Sequence, residues 1–527
     1  MNREALFRYG GKLRSDRIRN LIEKPKGRES AELACSGKGG RTVNHRMPSS
    51  GRRPDARRHP KKKRRPGGSS IPYLLLTLAV LLIALTGIIL VMNRRNSTVP
   101  LPETDAPDGT KAGTADVTGN NVPQTGEETR GGEETNGPLT YREVTILSAG
   151  DIMFHLPQVN SAYRPASGTY DFTDTFQYVA PFVRAADYAV VNFETTLSGT
   201  SVPYSGFPAF NSPDSSLDAV KGAGFNMVLF ANNHAYDHRL SGLQRTVSMF
   251  EQYGLDYIGA RQTTEGRSYR IADVNGVKVG FLNYADDLGS DTVSRTINGI
   301  PISANDLQYI DLYNNGLLDQ FYESAEARIS EMREQGAELI VFYIHWGVEY
   351  YTQPSANQKA VAQKLCDLGV DAIIGSHPHV VQPAEPLVSG RDPSHRTICF
   401  YSLGNYVSNQ CRQTLSAEYC HGNNVNTENG LMVQLRIRKY SDGSCMIAGV
   451  ETIPTWVHRY MESDGYWDYR IIPLAAALEQ PDEYGLNRSS TDVPYAKEAM
   501  KMTDELISSA VEAFNRSLDL PAAVKAD

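Results

Sequence analysis

Ala337–Tyr350, AELIVFYIHWGVEY, and Asp371–Pro383, DAIIGSHPHVVQP, decide the fold of this chain. Each is a nearly unbroken apolar run, and each delivers histidine at its end: His345 in the first, His377 and His379 either side of Pro378 in the second. Strands of a parallel sheet covered on both faces read as continuous apolar runs, and ligands gather at the carboxyl ends of such strands. Imidazoles brought there by separate strands are what a metal site needs. A packed, hydrogen-bonded core histidine explains any one of them equally well. It does not explain the set, because further strand ends behave the same way.

Those ends lie upstream. Val144–His155, VTILSAGDIMFH, puts Asp151 after a β-rich run, with His155 four residues on. Asp187–Gly199, DYAVVNFETTLSG, puts Glu194 after Tyr188–Phe193. Phe225–His238, FNMVLFANNHAYDH, puts Asn232, Asn233 and His234 after the strand-like run Phe225–Phe230, with Asp237 just beyond. Of the chain's 11 histidines, six (His155, His234, His238, His345, His377, His379) fall in these segments. Carboxylate and amide oxygens combined with imidazole nitrogen suit Mn, Fe or Zn better than Ca or Mg, which prefer all-oxygen shells.

From Arg142 onward strand and helix patterns alternate. Helices are expected over Ser216–Gly224, Leu240–Tyr253, Ser324–Gln335 and Ala356–Leu368, with Gly254, Gly336 and Gly369 as stops. Arg270–Tyr284 reads as a hairpin about Asn275-Gly276, and Leu431–Tyr440 with Cys445–Ile453 as antiparallel strands joined by Ser441-Asp442-Gly443. An amphipathic, peripheral helix over Pro494–Asn515 closes the chain. The expected class is α/β, a sandwich of two mixed sheets flanked by helices.

The order of GD, N-F-E, ANNHxxD, IHWGxEY, GSHPHxxQP and YSLGN resembles the CapA-type poly-γ-glutamate capsule synthesis proteins, whose domain is related to the calcineurin-like metallophosphoesterases. The resemblance runs from about Val144 to Asn409, with weaker support to about residue 475. It implies a metallophosphoesterase-like sandwich holding one or two divalent ions. Asp151 and His379 would serve the first metal, Glu194 would bridge, and Asn233, His345 and His377 would complete the second. His234 matches a general acid or transition-state stabiliser, and Asp237 joins it as a catalytic candidate. The chain departs from the phosphoesterase pattern at its start, where the usual Asp-x-His pair is replaced by Asp151 with His155 displaced. Glu349 is read as orienting a ligand histidine. Gln382 and Asn405 are open between substrate contact and loop closure, and Asp237 between pairing with His234 and capping the next helix.

The first 70 of the 527 residues carry 21 Lys+Arg against 6 Asp+Glu and show no hydrophobic periodicity, as expected of a solvated basic tail. No aromatic or groove-reading pattern accompanies the charge, so no nucleic-acid partner is expected. Ile71–Met92 is 22 residues without a charge, about 33 Å as a helix, and reads as an uncleaved membrane anchor. Nine Lys/Arg lie between Arg52 and Arg65 against Arg94 and Arg95 after the span. That bias sets a cytoplasmic N-terminus and an outer C-terminal part on a single-pass protein of the cell membrane. Residues 93–140, rich in Thr, Gly, Pro and acidic residues, form a stalk; 141–480 is the CapA-like extracellular domain and 481–527 a helical extension. Cys411 and Cys420 flank a polar loop and are candidates for a disulfide in an oxidising space.

Two functions follow from the resemblance. One is a metal-dependent hydrolase or transferase acting on an anionic capsule polymer, poly-γ-glutamate, or on a phosphoester. The other is a non-catalytic component that binds or guides the polymer beside membrane synthase or export subunits. The part after Arg95, with 30 Lys+Arg and 54 Asp+Glu, repels anionic polymers unless metal or a local basic patch offsets the field.

Overall fold

Leu339–His345 and Ala372–Ser376 pair in parallel, with His345 opposite Ser376. They lie at the centre of a seven-stranded sheet whose main path runs Leu312–Tyr313, Val277–Asp286, Leu339–His345, Ala372–Ser376, Arg396–Phe400, Ala384–Val388. This computed structural model describes residues 138–526 except 268, 288–294 and 464. The expected basic tail, the span Ile71–Met92 and nearly all of the stalk fall outside the described residues. Among the described residues no helix is long and apolar enough to cross a membrane.

A second, nine-stranded sheet has the main path Trp467–Pro473, Cys445–Met461, Asn429–Tyr440, Thr140–Ile152, Tyr188–Phe193, Met227–Leu229, Asp256–Ile258. Its last four strands run parallel, Asn429–Tyr440 pairs antiparallel with Thr140–Ile152 and Cys445–Met461 antiparallel with Asn429–Tyr440; the seven-stranded sheet likewise adds antiparallel pairs to its parallel ones, so both sheets are mixed. Alternation along each strand divides the core. Val144 and Ile146 of one sheet meet Val341 and Tyr343 of the other between the sheets. Leu147 and Ala149 face the helices Ser216–Ala223 and Arg239–Tyr253, whereas Ile340, Phe342 and Ile344 face Leu318–Glu334 and Ala356–Asp367. The layers are therefore helix, sheet, sheet, helix. His345 continues the inward set of Val341 and Tyr343 toward the facing sheet.

Local signals behave as their chemistry requires. Gly224 and Gly254 end their helices in the left-handed conformation (φ 112° and 62°). Asn275 and Gly276, both with positive φ, close the tight hairpin between Arg270–Val274 and Val277–Asp286. Ser355 and Gln358 cap Ala356–Asp367 reciprocally.

Several boundaries move. The strand expected over Phe225–Phe230 is Met227–Leu229, and the helix expected from Ser324 begins at Leu318, because Phe321 packs on Tyr313 with ring centroids 4.5 Å apart. The last helix, Asp492–Ser517, starts before the expected Pro494 and turns its apolar face inward, where Ile507, Val511 and Phe514 are buried in the core between the sheets. Beyond it, Val524–Lys525 pairs with Thr140–Tyr141. Cys411 and Cys420 are buried free thiols rather than a disulfide.

Candidate metal centre at the strand ends

The strands Thr140–Ile152 and Tyr188–Phe193 pair in parallel with a register shift at Gly150, so Asp151 sits opposite Asn192. Such a bulge re-aims the side chain that follows it. A Cβ on Gly150 would lie 2.1 Å from Gly404 O, so only glycine permits this approach, and Asp151 N–H donates to the same carbonyl at 3.0 Å. The GD and LGN motifs are thus two sides of one backbone contact.

Asn192 then orients both carboxylates. Its Nδ2 donates to Asp151 Oδ1 at 2.8 Å and to Glu194 Oε2 at 3.0 Å, while Asn232 Nδ2 holds Asn192 Oδ1 at 3.2 Å. Each carboxylate is left with one oxygen facing the histidines. Asp151 Oδ2 lies 3.2 Å from His379 Nδ1 and accepts the His377 backbone N–H at 3.3 Å. Glu194 Oε1 is buried with no hydrogen-bond partner, 3.7 Å from both His345 Nε2 and His379 Nε2. Burial, reinforced by the negative charges of Asp151, Glu349 and Asp237, pushes the Glu194 carboxyl well above its ordinary range.

The histidines close the other side. His345 Nδ1 lies 2.9 Å from Ser376 Oγ, which leaves Nε2 pointing inward, 3.0 Å from Asn233 Oδ1 and 3.1 Å from His377 Nδ1. Burial drives both imidazoles toward the neutral form, His345 well below the ordinary histidine range and His377 to about 4. Burial also disfavours a charge on His379, but the hydrogen bond and charge of Asp151 outweigh it and raise that group. His377 and His379 both adopt positive φ (97° and 55°), a conformation that costs each non-glycine residue roughly 1–3 kcal/mol and clusters at functional sites.

These atoms fit a divalent ion. Donors sharing one ion at about 2.0–2.1 Å stand about 3.0–3.4 Å apart, and His345 Nε2 lies 3.0 Å from Asn233 Oδ1 and 3.1 Å from His377 Nδ1. Glu194, His345 and His377 form one group able to hold an ion; Asp151, Glu194 and His379 form another that shares Glu194. Glu349, expected only to orient a ligand, groups with His377 and His379 within ligating distance. The orphaned Glu194 oxygen is the strongest sign, since a buried carboxylate oxygen without a partner is costly until a cation meets it.

All six expected ligands, Asp151, Glu194, Asn233, His345, His377 and His379, are buried and converge at the facing ends of the two sheets. His234 and Asp237 lie beside them as a pair, His234 Nδ1 being 2.8 Å from Asp237 Oδ2, and Asp237 does not cap the helix after it. His155 is not part of the ion-holding groups; its Nδ1 accepts Asn409 N–H at 3.3 Å, and its ring meets Phe210 edge-on. Phe210 also meets His234 edge-on, so it separates the two rings. Gln382 closes loops, donating to Tyr351 O at 2.7 Å, and Asn405 binds His379 O at 3.3 Å. Asn192 and Ser376 are not among the residues expected from sequence. Asn192 carried a signal, standing two residues before Glu194 and so on the same strand face.

Residues 145–410 match the family described as "Bacterial capsule synthesis protein PGA_cap". The chain is 31% identical over 287 residues to the "Capsule biosynthesis protein CapA" of Bacillus anthracis, covering 53% of this chain and 63% of that one. It is 31% identical over 239 residues to the "PGA biosynthesis protein CapA" of Bacillus subtilis, covering 45% and 57%. An uncharacterized protein of Sinorhizobium fredii is 22% identical over 331 residues, covering 52% and 68%. The chain spans less than two thirds of the length of the two Bacillus relatives.

Proposed function

Since the chain belongs to the bacterial capsule synthesis protein family, we propose that its strand-end site is a divalent-metal centre of metallophosphoesterase type. Its work is hydrolysis or transfer on an anionic capsule polymer of the poly-γ-glutamate kind. The observation that carries the reading is Glu194 Oε1, buried and without a hydrogen-bond partner, facing two imidazoles. In this reading Glu194 bridges two ligand sets, Asp151 with His379 and Asn233 with His345 and His377.

A bound divalent ion supplies Lewis-acid polarisation and lowers the pKa of water. The chain's own residues do the rest. Asn192 fixes the carboxylates, and Ser376 fixes the His345 ring. His234, backed by Asp237, donates a proton to the leaving group. Closely approached carboxylates and a net-acidic outer chain repel a polyanion, and the metal's charge offsets that repulsion where the polymer meets the site. The reading also places Ile71–Met92 in the cell membrane with the described residues outside, next to the polymer's point of export.

A second reading, a polymer-guiding component without turnover, is favoured by His155, whose Nδ1 is committed to Asn409 rather than to the ligand sets. The deciding experiment measures bound Mn, Fe and Zn in the purified full-length protein, then hydrolysis of poly-γ-glutamate and of a generic phosphodiester. About one or two equivalents of metal with turnover supports the enzyme. Metal without turnover of either substrate supports the guiding role, and no metal after reconstitution removes the metal centre.

A further inference from the structure

Gln410, in the loop after the strand Asn405–Val407, stands outside every motif of the site, yet it is buried. Its side-chain amide bridges two other residues. Asn405 Nδ2 donates to Gln410 Oε1 at 2.9 Å, and Gln410 Nε2 donates to the hydroxyl of Tyr350, 60 residues away, at 3.1 Å. Tyr350 in turn donates its backbone N–H to Pro378 O at 2.8 Å. Asn405 Nδ2 also reaches Thr427 O at 2.9 Å and His379 O at 3.3 Å. Two amide hydrogens thus serve three oxygens, and the His379 carbonyl takes the long arm of a shared one. The path closes on itself. It runs from Pro378 through Tyr350, Gln410 and Asn405 back to His379, the residue next to Pro378.

We infer that Gln410 is a positioning residue for the metal centre, the link that closes a ring of hydrogen bonds around the His377–Pro378–His379 turn. The inference rests on the reading of the strand-end site as a divalent-metal centre. His377, His379 and Tyr350 all have positive φ (97°, 55° and 66°). Each such residue costs roughly 1–3 kcal/mol and persists only where its surroundings over-determine it. Here the turn's own carbonyls, those of Pro378 and His379, are the atoms held. A bridge between an amide N–H and a hydroxyl needs an acceptor and a donor on one rigid group, which a primary amide supplies. Without Gln410, Asn405 and Tyr350 still touch the turn from opposite sides, but nothing fixes one to the other. The turn can then relax. His377 Nδ1, now 3.1 Å from His345 Nε2, and His379 Nδ1, now 3.2 Å from Asp151 Oδ2, lose their fixed distances to the facing ligands. The consequence is a looser ion in a folded protein.

The test measures Zn²⁺ affinity of the full-length protein by chelator competition, and the geometry of the centre by the visible absorption of the Co²⁺-loaded form. Gln410→Met keeps the length of the side chain and removes both of its hydrogen bonds. Tyr350→Phe opens the same link from the other side. Each should bind Zn²⁺ about 10-fold more weakly and shift the Co²⁺ spectrum, and the double variant should lose little more than either, because both break one connection. Tyr419→Ala is the control. Its ring lies 5.5 Å from that of Tyr350 and is 56% exposed, outside the closed path, so affinity and spectrum should stay as in the wild type. Wild-type affinity and spectrum in Gln410→Met overturn the inference while leaving the metal centre standing. If Gln410→Met does not fold, Tyr350→Phe decides by the same readings. Equal weakening in Tyr419→Ala also overturns it, since the loop as a whole would then matter rather than this link. A wild type that binds neither Zn²⁺ nor Co²⁺ overturns the metal centre itself and the role of Gln410 with it.

Discussion

His345 Nε2 and His377 Nδ1 stand 3.1 Å apart, although 32 residues separate them in the chain. Both rings are buried and held neutral, so the gap is filled either by one shared proton or by two lone pairs turned on a common ion. Asn233 Oδ1 and the unpartnered Glu194 oxygen face the same place, and both are acceptors. A single cation would satisfy these four atoms together.

That arrangement separates the roles of neighbouring histidines. His377→Ala should lose most bound metal along with any turnover, because it removes a direct donor. His234→Ala should keep its metal and lose turnover about 10²–10⁴-fold, the contribution of a positioned proton donor. Elemental analysis of both purified variants decides it, and equal metal loss in the two would reverse the assignment of His234.

Asn192 should matter without touching an ion. Its amide is the hydrogen-bond donor shared by Asp151 and Glu194, and freeing both carboxylates should weaken metal affinity about 10–100-fold in Asn192→Ala. Competition with a chelator of known affinity measures this. Unchanged affinity would mean that the carboxylates are held in place by their backbone alone.

The metal-free protein should be strained at Glu194. Its folded-state pKa is raised, so the stability it contributes is present below the ordinary glutamate range and declines as pH rises toward the folded value. Near neutral pH without metal, Glu194→Gln should therefore be more stable than wild type by roughly 1–3 kcal/mol while binding metal poorly. Urea unfolding in excess chelator gives the comparison. A less stable apo variant would show that the charge is already compensated.

His155 carries the opposite sign. Burial lowers its pKa to about 3, so the folded state resists a proton that the unfolded chain accepts below about 6.5. Its contribution is intact above about 6.5 and is lost as pH falls from there toward 3. Between pH 7 and 5 the wild type should lose about 1–2 kcal/mol more than His155→Gln, a figure reduced for the ring's partial exposure. Parallel denaturation curves at the two pH values test it, and equal losses would place His155 in contact with water.

Much of this architecture is determined by the sequence alone. Continuous apolar runs force Leu339–His345 and Ala372–Ser376 into a covered sheet, glycines at 224 and 254 stop helices, and Asn275-Gly276 makes its hairpin. These are local effects of side-chain period and backbone freedom, so they survive being read without neighbours. The placement of the six candidate ligands is legible for the same reason, each standing at or just past the end of a strand. The tertiary structure alone decided which strand ends meet. Asp151 lies 228 residues from its partner His379, and Asn233 lies 112 from His345. For the same cause Glu349 falls into one group with His377 and His379, and the apolar face of the final helix joins the core between the sheets. Hydrogen-bond partners and burial depend on which surfaces pack together, and a periodic pattern specifies the face a residue occupies but not what that face will touch.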